Sequence, residues 1–166
     1  MNDEIIKRAR RLARRCGTKD PFRIAKEVGI ELDYTDLGKL KGMYACIQRN
    51  RFIVINNALD DYTRRLVCAH ELGHDQFHRA LATDSWMQEF MIYNMNARPE
   101  YEANIFASEL LLPDDEILQL TDEGLDIAQI AQVLCSDVNL VALKLATLRQ
   151  QGYQFRMFEF RDDFLR

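Results

Sequence analysis

The stretch His70-Glu71-Leu72-Gly73-His74 has the pattern HExxH and uses two of the three histidines in this chain. Residues four apart on an α-helix lie one turn apart on the same face, so His70 and His74 can bind one metal ion together. Glu71 lies beside the first histidine, where a carboxylate can take a proton from water at the metal. The stretch therefore predicts a zinc-dependent peptide hydrolase, with His70 and His74 as metal ligands and Glu71 as general base.

A helix is predicted around this motif, from Asp60 to about Phe77. Apolar and small residues recur along it at helical spacing, so the motif is expected on the buried face. Asn57 or Asp60 can cap the start of this helix. Gly73 costs about 1 kcal/mol of helix stability relative to alanine. We interpret this glycine as a sign that a neighbouring strand or a substrate backbone approaches the helix closely.

The segment before the motif helix predicts two helices and a small antiparallel sheet. Asp20 followed by Pro21 is typical of a helix start. Residues 30–34 alternate in polarity, while residues 44–48 and 52–56 flank a polar turn at residues 49–51. In many zinc proteases an edge strand beside the active-site helix pairs with an extended substrate. We therefore expect the hairpin of residues 44–56 to guide the substrate.

Length and composition set the broad class. The chain has 166 residues, a net charge of -4 and four cysteines without a CxxC pair. This length favours one domain with its own core, and the cysteine spacing signals neither a disulfide framework nor a thiolate zinc site. No apolar run approaches the length of a membrane span, and no signal peptide is recognisable. We expect a cytoplasmic protein without a membrane partner.

The first helix carries a cluster of cations that has two interpretations. Lys7 and five arginines occupy one side of it, opposite an apolar face. An amphipathic helix with a solvated cationic side explains this pattern. A surface for nucleic acid or another acidic partner is the alternative, and the pattern favours it less.

A third metal ligand is expected on the next helix, from Pro99 to Leu111. Glu100 and Asn104 lie one turn apart there, so the carboxylate can bind the metal while Asn104 orients a ligand histidine from behind. Glu102 is the rival ligand, but it points about 200° around the helix from Glu100. His78 lies one turn past His74, too far along one straight helix to bind the same ion. A packing role or a substrate contact is expected for His78 instead.

At this point the chain resembles the ImmA/IrrE metallopeptidases, because HELGH is followed by Glu100-Tyr101-Glu102-Ala103-Asn104-Ile105-Phe106-Ala107-Ser108-Glu109-Leu110-Leu111-Leu112-Pro113. The resemblance covers roughly residues 20 to 150. It implies an α+β, zincin-like fold and a gluzincin-like zinc site of His70, His74 and Glu100. It also implies a cytoplasmic protease that cleaves a helix-turn-helix repressor and so derepresses a prophage, a mobile element or a stress regulon. Ser108 and Leu112 depart from the family's common residues outside the expected chemistry.

A single domain over residues 1–166 is therefore predicted. It comprises N-terminal helices (1–29), a small antiparallel sheet with the catalytic helices (30–113), and a C-terminal helical part with a tail (114–166). Residues 81–98, rich in aromatic residues and methionine, are interpreted equally as a lid over the metal and as core or a short strand. A substrate or oxyanion contact is assigned to Tyr44 or His78, with Tyr101 as a third option.

Two C-terminal helices, Asp126 to Leu134 and Val138 to Gln150, resemble a helix-turn-helix. The second offers only Lys144 and Arg149 for phosphates, so direct nucleic-acid binding is not favoured. The apolar tail is expected to pack back on the domain or to hold a partner, such as a second copy. The alternative function is a non-catalytic DNA-binding or repressor-docking module with a structural metal or none.

Overall fold

The computed structural model describes residues 2–82, 86–89 and 97–155, with the backbone alone for residues 86–89. It divides the chain into two compact units, Met1–Leu111 and Leu112–Arg166. The first unit contains helices α1 (Asn2–Cys16), α2 (Pro21–Glu27), α3 (Asp61–Phe77) and α4 (Arg98–Leu111), and strands β1 (Ile30–Thr35), β2 (Gly42–Ile47), β3 (Asn50–Asn56) and β4 (Trp86–Glu89). A 3-10 turn, Arg79–Ala82, follows α3. The expectation that residues 1–166 form one domain stays a prediction.

Polar caps fix where these helices begin. Asp20 accepts a hydrogen bond from the Phe22 N–H, and Pro21 occupies the first position of α2. Asp60 caps α3 through the Thr63 N–H, so the motif helix starts where its sequence predicts. A side chain that accepts from an orphan N–H of the first turn typically stabilises a helix by about 1 kcal/mol.

The cationic helix α1 is amphipathic. Ile5, Ile6, Ala9 and Leu12 are buried, while the cations lie on the opposite, exposed side. One of them, Arg10, donates to Glu109 of α4 over 2.5 Å. The apolar face thus packs α1 onto the domain, and α4 is one of the elements that it contacts.

The four strands form a mixed sheet in the order β1-β3-β2-β4. The predicted α+β class is confirmed, with one correction, because β1 runs parallel to β3 while the β2–β3 and β2–β4 pairs are antiparallel. The hairpin turns at Gln48 and Arg49, whose φ angles are 50° and 69°. Two successive residues with positive φ match the twist of the flanking strands. The turn therefore lies one residue earlier than its predicted position.

The strand order also corrects the predicted substrate path. In the described part of the chain, β3 lies between β1 and β2, and β2 pairs with β4 from Gly42 to Ala45. The hairpin of residues 44–56 is therefore inside the sheet and is not its edge. Among the described residues the outer strands are β1 and β4. Residues 86–89 confirm the short-strand interpretation for that part of residues 81–98. Residues 83–85 and 90–96, to which the lid interpretation also applied, lie outside the described residues.

Helix α3 lies at the centre of the first unit. It contacts β2 and β3 on one side and α4 on another, and ten consecutive residues from Leu66 to Asp75 are buried. Val67, Glu71 and Asp75 recur every four residues, and they meet Gly42 and Tyr44, two residues apart on β2. Residues four apart lie on one face of a helix and residues two apart lie on one face of a strand. These side chains therefore lie on the face of α3 and the face of β2 that are turned toward each other. The motif helix thus runs along β2.

Asp75 is the buried anchor of this contact. Its carboxylate accepts from the Tyr44 hydroxyl at 2.8 Å, from Arg51 Nη1 at 3.2 Å and from Arg79 Nη2 at 3.1 Å. The side chain itself is fully buried, whereas Arg79 is half exposed. A buried carboxylate is tolerated when several donors compensate for its lost hydration.

We expect Asp75→Ala to lower the free energy of unfolding by about 3–5 kcal/mol, because it leaves the Arg51 charge without its buried counterion. Urea unfolding measures this loss. Arg79→Ala is the matched control, and it should cost less than about 1 kcal/mol because that partner is exposed to solvent. Equal losses in the two variants would show that Asp75 does not anchor the helix to the sheet.

The second unit contains α5 (Asp114–Asp122), α6 (Ile127–Val133) and α7 (Val138–Gln150). Helices α6 and α7 lie at 112° to each other, an angle found in helix-turn-helix pairs. Asp126 forms a capping box at the start of α6, and Asp137 caps α7. Lys144, one of the two cations considered for phosphates, is buried and ion-paired with Asp114.

Arg149 lies 5.5 Å from the centre of the Phe155 ring. Residues 156–166, which carry most of the apolar tail, lie outside the described residues, and with them the predicted contact with a second copy. Within the part of the chain that the structure describes, no single helix is long and apolar enough to cross a membrane. The bent pair α6–α7 meets that test only when both helices are taken together.

Candidate metal centre

Three side chains from α3 and α4 converge on one point. His70 Nε2 lies 3.0 Å from His74 Nε2 and 3.1 Å from Glu100 Oε2, and His74 Nε2 lies 3.5 Å from Glu100 Oε1. These three residues form a group that could hold a metal ion. A tetrahedral site with zinc–nitrogen bonds of about 2.0–2.1 Å has edges of about 3.3 Å. The spacing of the donors therefore fits one small divalent ion.

Asn104 fixes the orientation of the first histidine. Its Oδ1 lies 3.0 Å from His70 Nδ1, one helical turn beyond Glu100. An amide oxygen only accepts, so the His70 proton is at Nδ1 and the lone pair of Nε2 faces Glu100 and His74. Asn104 is thus positioned to orient the His70 ring from its non-ligating side.

His74 is held in its neutral form. Burial lowers its pKa to about 4, although the Glu100 carboxylate acts in the opposite direction. A neutral imidazole has a lone pair for a metal, whereas an imidazolium has none. At neutral pH the second histidine is therefore ready to act as a ligand.

The rival carboxylate, Glu102, is used elsewhere. Its Oε1 accepts from Arg98 Nε at 2.7 Å and its Oε2 lies 3.1 Å from His78 Nε2. Burial opposes its charge, but the hydrogen bonds from Arg98 and His78 outweigh it and lower the pKa of Glu102. The structure thus brings Glu100 to the two motif histidines and leaves Glu102 on His78.

Gly73 explains how α4 reaches the motif. A Cβ atom at this position would lie 2.8 Å from Ala103 Cα, which is closer than real contacts allow. The missing side chain lets the two helices touch, and the contact lies beside Glu100 and Asn104 in sequence. The predicted close approach at Gly73 is therefore real, but the approaching element is α4 and neither a strand nor a substrate.

Glu71 is buried on the side of α3 that faces the sheet. A Cβ atom on Gly42 would lie 3.0 Å from Glu71 Oε1 and would overlap Val67 Cγ1. The absence of a side chain at Gly42 therefore provides the space that the Glu71 carboxylate occupies. One turn further along α3, the bond between Asp75 and Tyr44 ties the helix to the same strand.

The interpretation of Tyr44 as an oxyanion contact is not supported. Its side chain is fully buried and its hydroxyl donates to Asp75. Burial and the neighbouring Asp75 charge raise the pKa of Tyr44, so the phenol keeps its proton for that bond. Tyr101, the third option, lies 3.3 Å through its hydroxyl from the Asn2 amide. His78 ends α3, and its ring lies between His74 and Glu102.

Sequence reasoning missed three residues around this centre, namely Gly42, Asp75 and Arg98. Asp75 could have been found, because it continues the four-residue spacing of Val67 and Glu71. Arg98 is four residues before Glu102, a common spacing for an ion pair on a helix. Gly42 carries no local signal, since its role depends on a helix that begins 19 residues later.

The chain is similar to proteins of a known family. The model of the family Peptidase_M78, described as the IrrE N-terminal-like domain, matches residues 25–145. A protein of Bacillus phage phi105, named "Uncharacterized immunity region protein 2", is 35% identical over 142 residues. That match covers 84% of this chain and 89% of the phage protein. A metallopeptidase family implies a metal ion, and the matched range contains His70, His74 and Glu100.

Proposed function

Because the chain belongs to the Peptidase_M78 family of IrrE N-terminal-like domains, we propose that it is a zinc-dependent endopeptidase. Its substrate in this proposal is a helix-turn-helix repressor in the cytoplasm, whose cleavage derepresses a prophage, a mobile element or a stress regulon. The observation that carries the proposal is the convergence of His70, His74 and Glu100, whose ligand atoms lie 3.0–3.5 Å apart. Glu71, which is buried, follows His70 on α3.

The donor set favours zinc. Two imidazoles and one carboxylate form a typical catalytic zinc set, in which the fourth position stays open. Manganese, iron and cobalt accept similar ligands, so the availability of the metal also matters. When bound, the ion supplies a Lewis acid that polarises a peptide carbonyl and makes water more acidic. His70, His74 and Glu100 would hold it, and Asn104 would keep His70 in the required tautomer.

Glu71 is the group that moves the proton in this mechanism. It follows His70 directly in sequence, and its carboxylate lies in the space left by Gly42. From there it takes the proton of the attacking water and delivers it to the nitrogen of the leaving amine. The burial of Glu71 strengthens its electrostatic interactions, because the local dielectric is low.

The substrate class is inferred from the relative. The name of the phage protein refers to an immunity region. This likeness supports a repressor as the substrate of the present chain. An extended segment of it would pair with an outer strand, and within the described residues β4 is the outer strand on the β2 side of the sheet.

The angle of 112° between α6 and α7 favours a second candidate, a DNA-binding or repressor-docking module. The burial of Lys144 speaks against DNA contact by α7, since it leaves Arg149 as the exposed cation on that helix. The proposal therefore keeps the repressor as the partner, without direct nucleic-acid binding. Salt-dependent DNA binding without any cleavage would favour the second candidate.

A helix-turn-helix repressor, if one is encoded beside this gene, is the first substrate to test. We expect the purified, zinc-loaded chain to cut it at a defined peptide bond, because the site is built for directed attack by water. Mass spectrometry of the fragments identifies that bond. A chelator should stop the reaction and added zinc should restore it. An intact repressor after prolonged incubation with the zinc-loaded chain would contradict the proposed substrate.

A further inference from the structure

His78 lies directly behind the second motif histidine. It ends α3, its backbone N–H donates to the His74 carbonyl oxygen at 2.8 Å, and its ring is buried. His78 Nδ1 lies 3.1 Å from His74 Nδ1, and His78 Nε2 lies 3.1 Å from Glu102 Oε2. A continuous chain of contacts thus runs from Arg98 through Glu102 and His78 to His74.

The proton positions in this row of contacts can be derived by starting at Glu102, the carboxylate that faces His78. The Glu102 carboxylate accepts from Arg98 on one oxygen and faces His78 Nε2 with the other. A carboxylate has no proton to donate, so the neutral tautomer of His78 that fits this contact has its proton at Nε2 and its lone pair at Nδ1. In that arrangement the proton between the two Nδ1 atoms belongs to His74. The lone pair of His74 Nε2 then points toward His70 and Glu100.

We propose that His78, held by Glu102, is the positioning residue that sets the tautomer and the ring orientation of His74 for metal binding. This inference rests on the proposed metal centre and adds a residue to it. The two ligand histidines would then be oriented in different ways. His70 is oriented by the neutral amide of Asn104, whereas His74 is oriented by an imidazole backed by a carboxylate.

This difference has a chemical consequence. A hydrogen bond from the back nitrogen to a strong acceptor raises the electron density at the ligating nitrogen. The Glu102 charge makes His78 a better acceptor than it would be alone. Loss of such an outer partner typically weakens metal affinity about 10–100-fold. We expect an effect of this size when His78 no longer accepts from His74.

The chain offers a matched pair of variants for the test. In His78→Asn the amide Oδ1 takes the place of Nδ1, so it can still accept from His74, although the contact with Glu102 is lost. In His78→Gln the terminal amide reaches the place of Nε2 and keeps the contact with Glu102, while no acceptor remains at the Nδ1 position. His78→Leu removes both contacts.

The readout is the zinc Kd of the full-length chain, measured by competition with a coloured chelator, together with the thermal midpoint of the metal-free protein. We expect His78→Asn to bind zinc within about threefold of the parent, and His78→Gln to bind about 10–100-fold more weakly. The zinc Kd of His78→Leu should equal that of His78→Gln. If His78→Leu does not fold, the comparison of His78→Asn with His78→Gln is sufficient to test the inference.

Two results would overturn the inference. Equal zinc affinity in the parent, Asn and Gln variants would show that His78 does not position His74. A loss in His78→Asn with none in His78→Gln would place the effect in the contact with Glu102 alone. A parent chain that binds no zinc would instead contradict the proposed function itself. A purely structural role would change the thermal midpoint without this pattern of affinities.

Discussion

The Glu71→Gln variant is expected to cleave the repressor about 10²–10⁴-fold more slowly than the parent, which is the usual contribution of general acid–base catalysis. Glutamine has nearly the shape of glutamate, so it should fit the space beside Gly42. Its amide cannot accept a proton from water. The initial rate of fragment formation, measured at saturating zinc, gives the size of the loss.

Zinc binding separates this result from a damaged site. Glu71 is not a member of the group formed by His70, His74 and Glu100, so the zinc Kd of Glu71→Gln should stay within a few-fold of the parent. Cleavage at the parent rate would remove Glu71 from the mechanism. Lost cleavage together with lost zinc would mean that the residue acts on the metal site and not on the proton.

The Glu100→Gln variant is expected to bind zinc at least about 100-fold more weakly, because changes in outer partners alone reach 10–100-fold. The substitution keeps the length of the side chain but removes the charge that faces both Nε2 atoms. An amide oxygen is a poorer zinc ligand than a carboxylate. Chelator competition measures the Kd, and activity should recover in part at high zinc concentration.

Glu109→Gln is the matched control for this variant. It removes the same charge from the same helix, but Glu109 pairs with Arg10 and lies outside the ligand group. Its zinc affinity should equal that of the parent. If both variants lost affinity to the same extent, the cause would be the net charge of α4, and Glu100 would not be a ligand.

The features of this fold that the sequence predicts correctly are those that depend on neighbouring residues. Asp20 with Pro21 and Asp60 with Thr63 mark helix starts through contacts within three residues, and the observed helices begin there. The choice of Glu100 over Glu102 also needed only helical geometry. Each of these inferences depends on residues that are close in sequence, where spacing and direction are linked by known periods.

Contacts between segments that are far apart in the sequence could not be predicted from it. The parallel pairing of β1 with β3 and the place of β4 beside β2 depend on how separate segments meet, and no residue in the hairpin encodes them. For the same reason the sequence alone offers Tyr44 as a substrate or oxyanion contact, because its acceptor, Asp75, lies 31 residues away. The sequence alone predicts only a packing role or a substrate contact for His78, because its link to Glu102 spans 24 residues.

In the proposed protease, the contact of α3 with α4 at Gly73 would also couple metal binding to folding. The unfolded chain separates His74 from Glu100 by 26 positions, so only the folded protein has the complete ligand set. By mass action, a ligand of the folded state at 1,000 times its Kd stabilises that state by about 4 kcal/mol. The lifetime of such a protein would follow the free zinc level of its surroundings. Under the proposed function, a cell short of zinc would lose this stabilisation in addition to the activity.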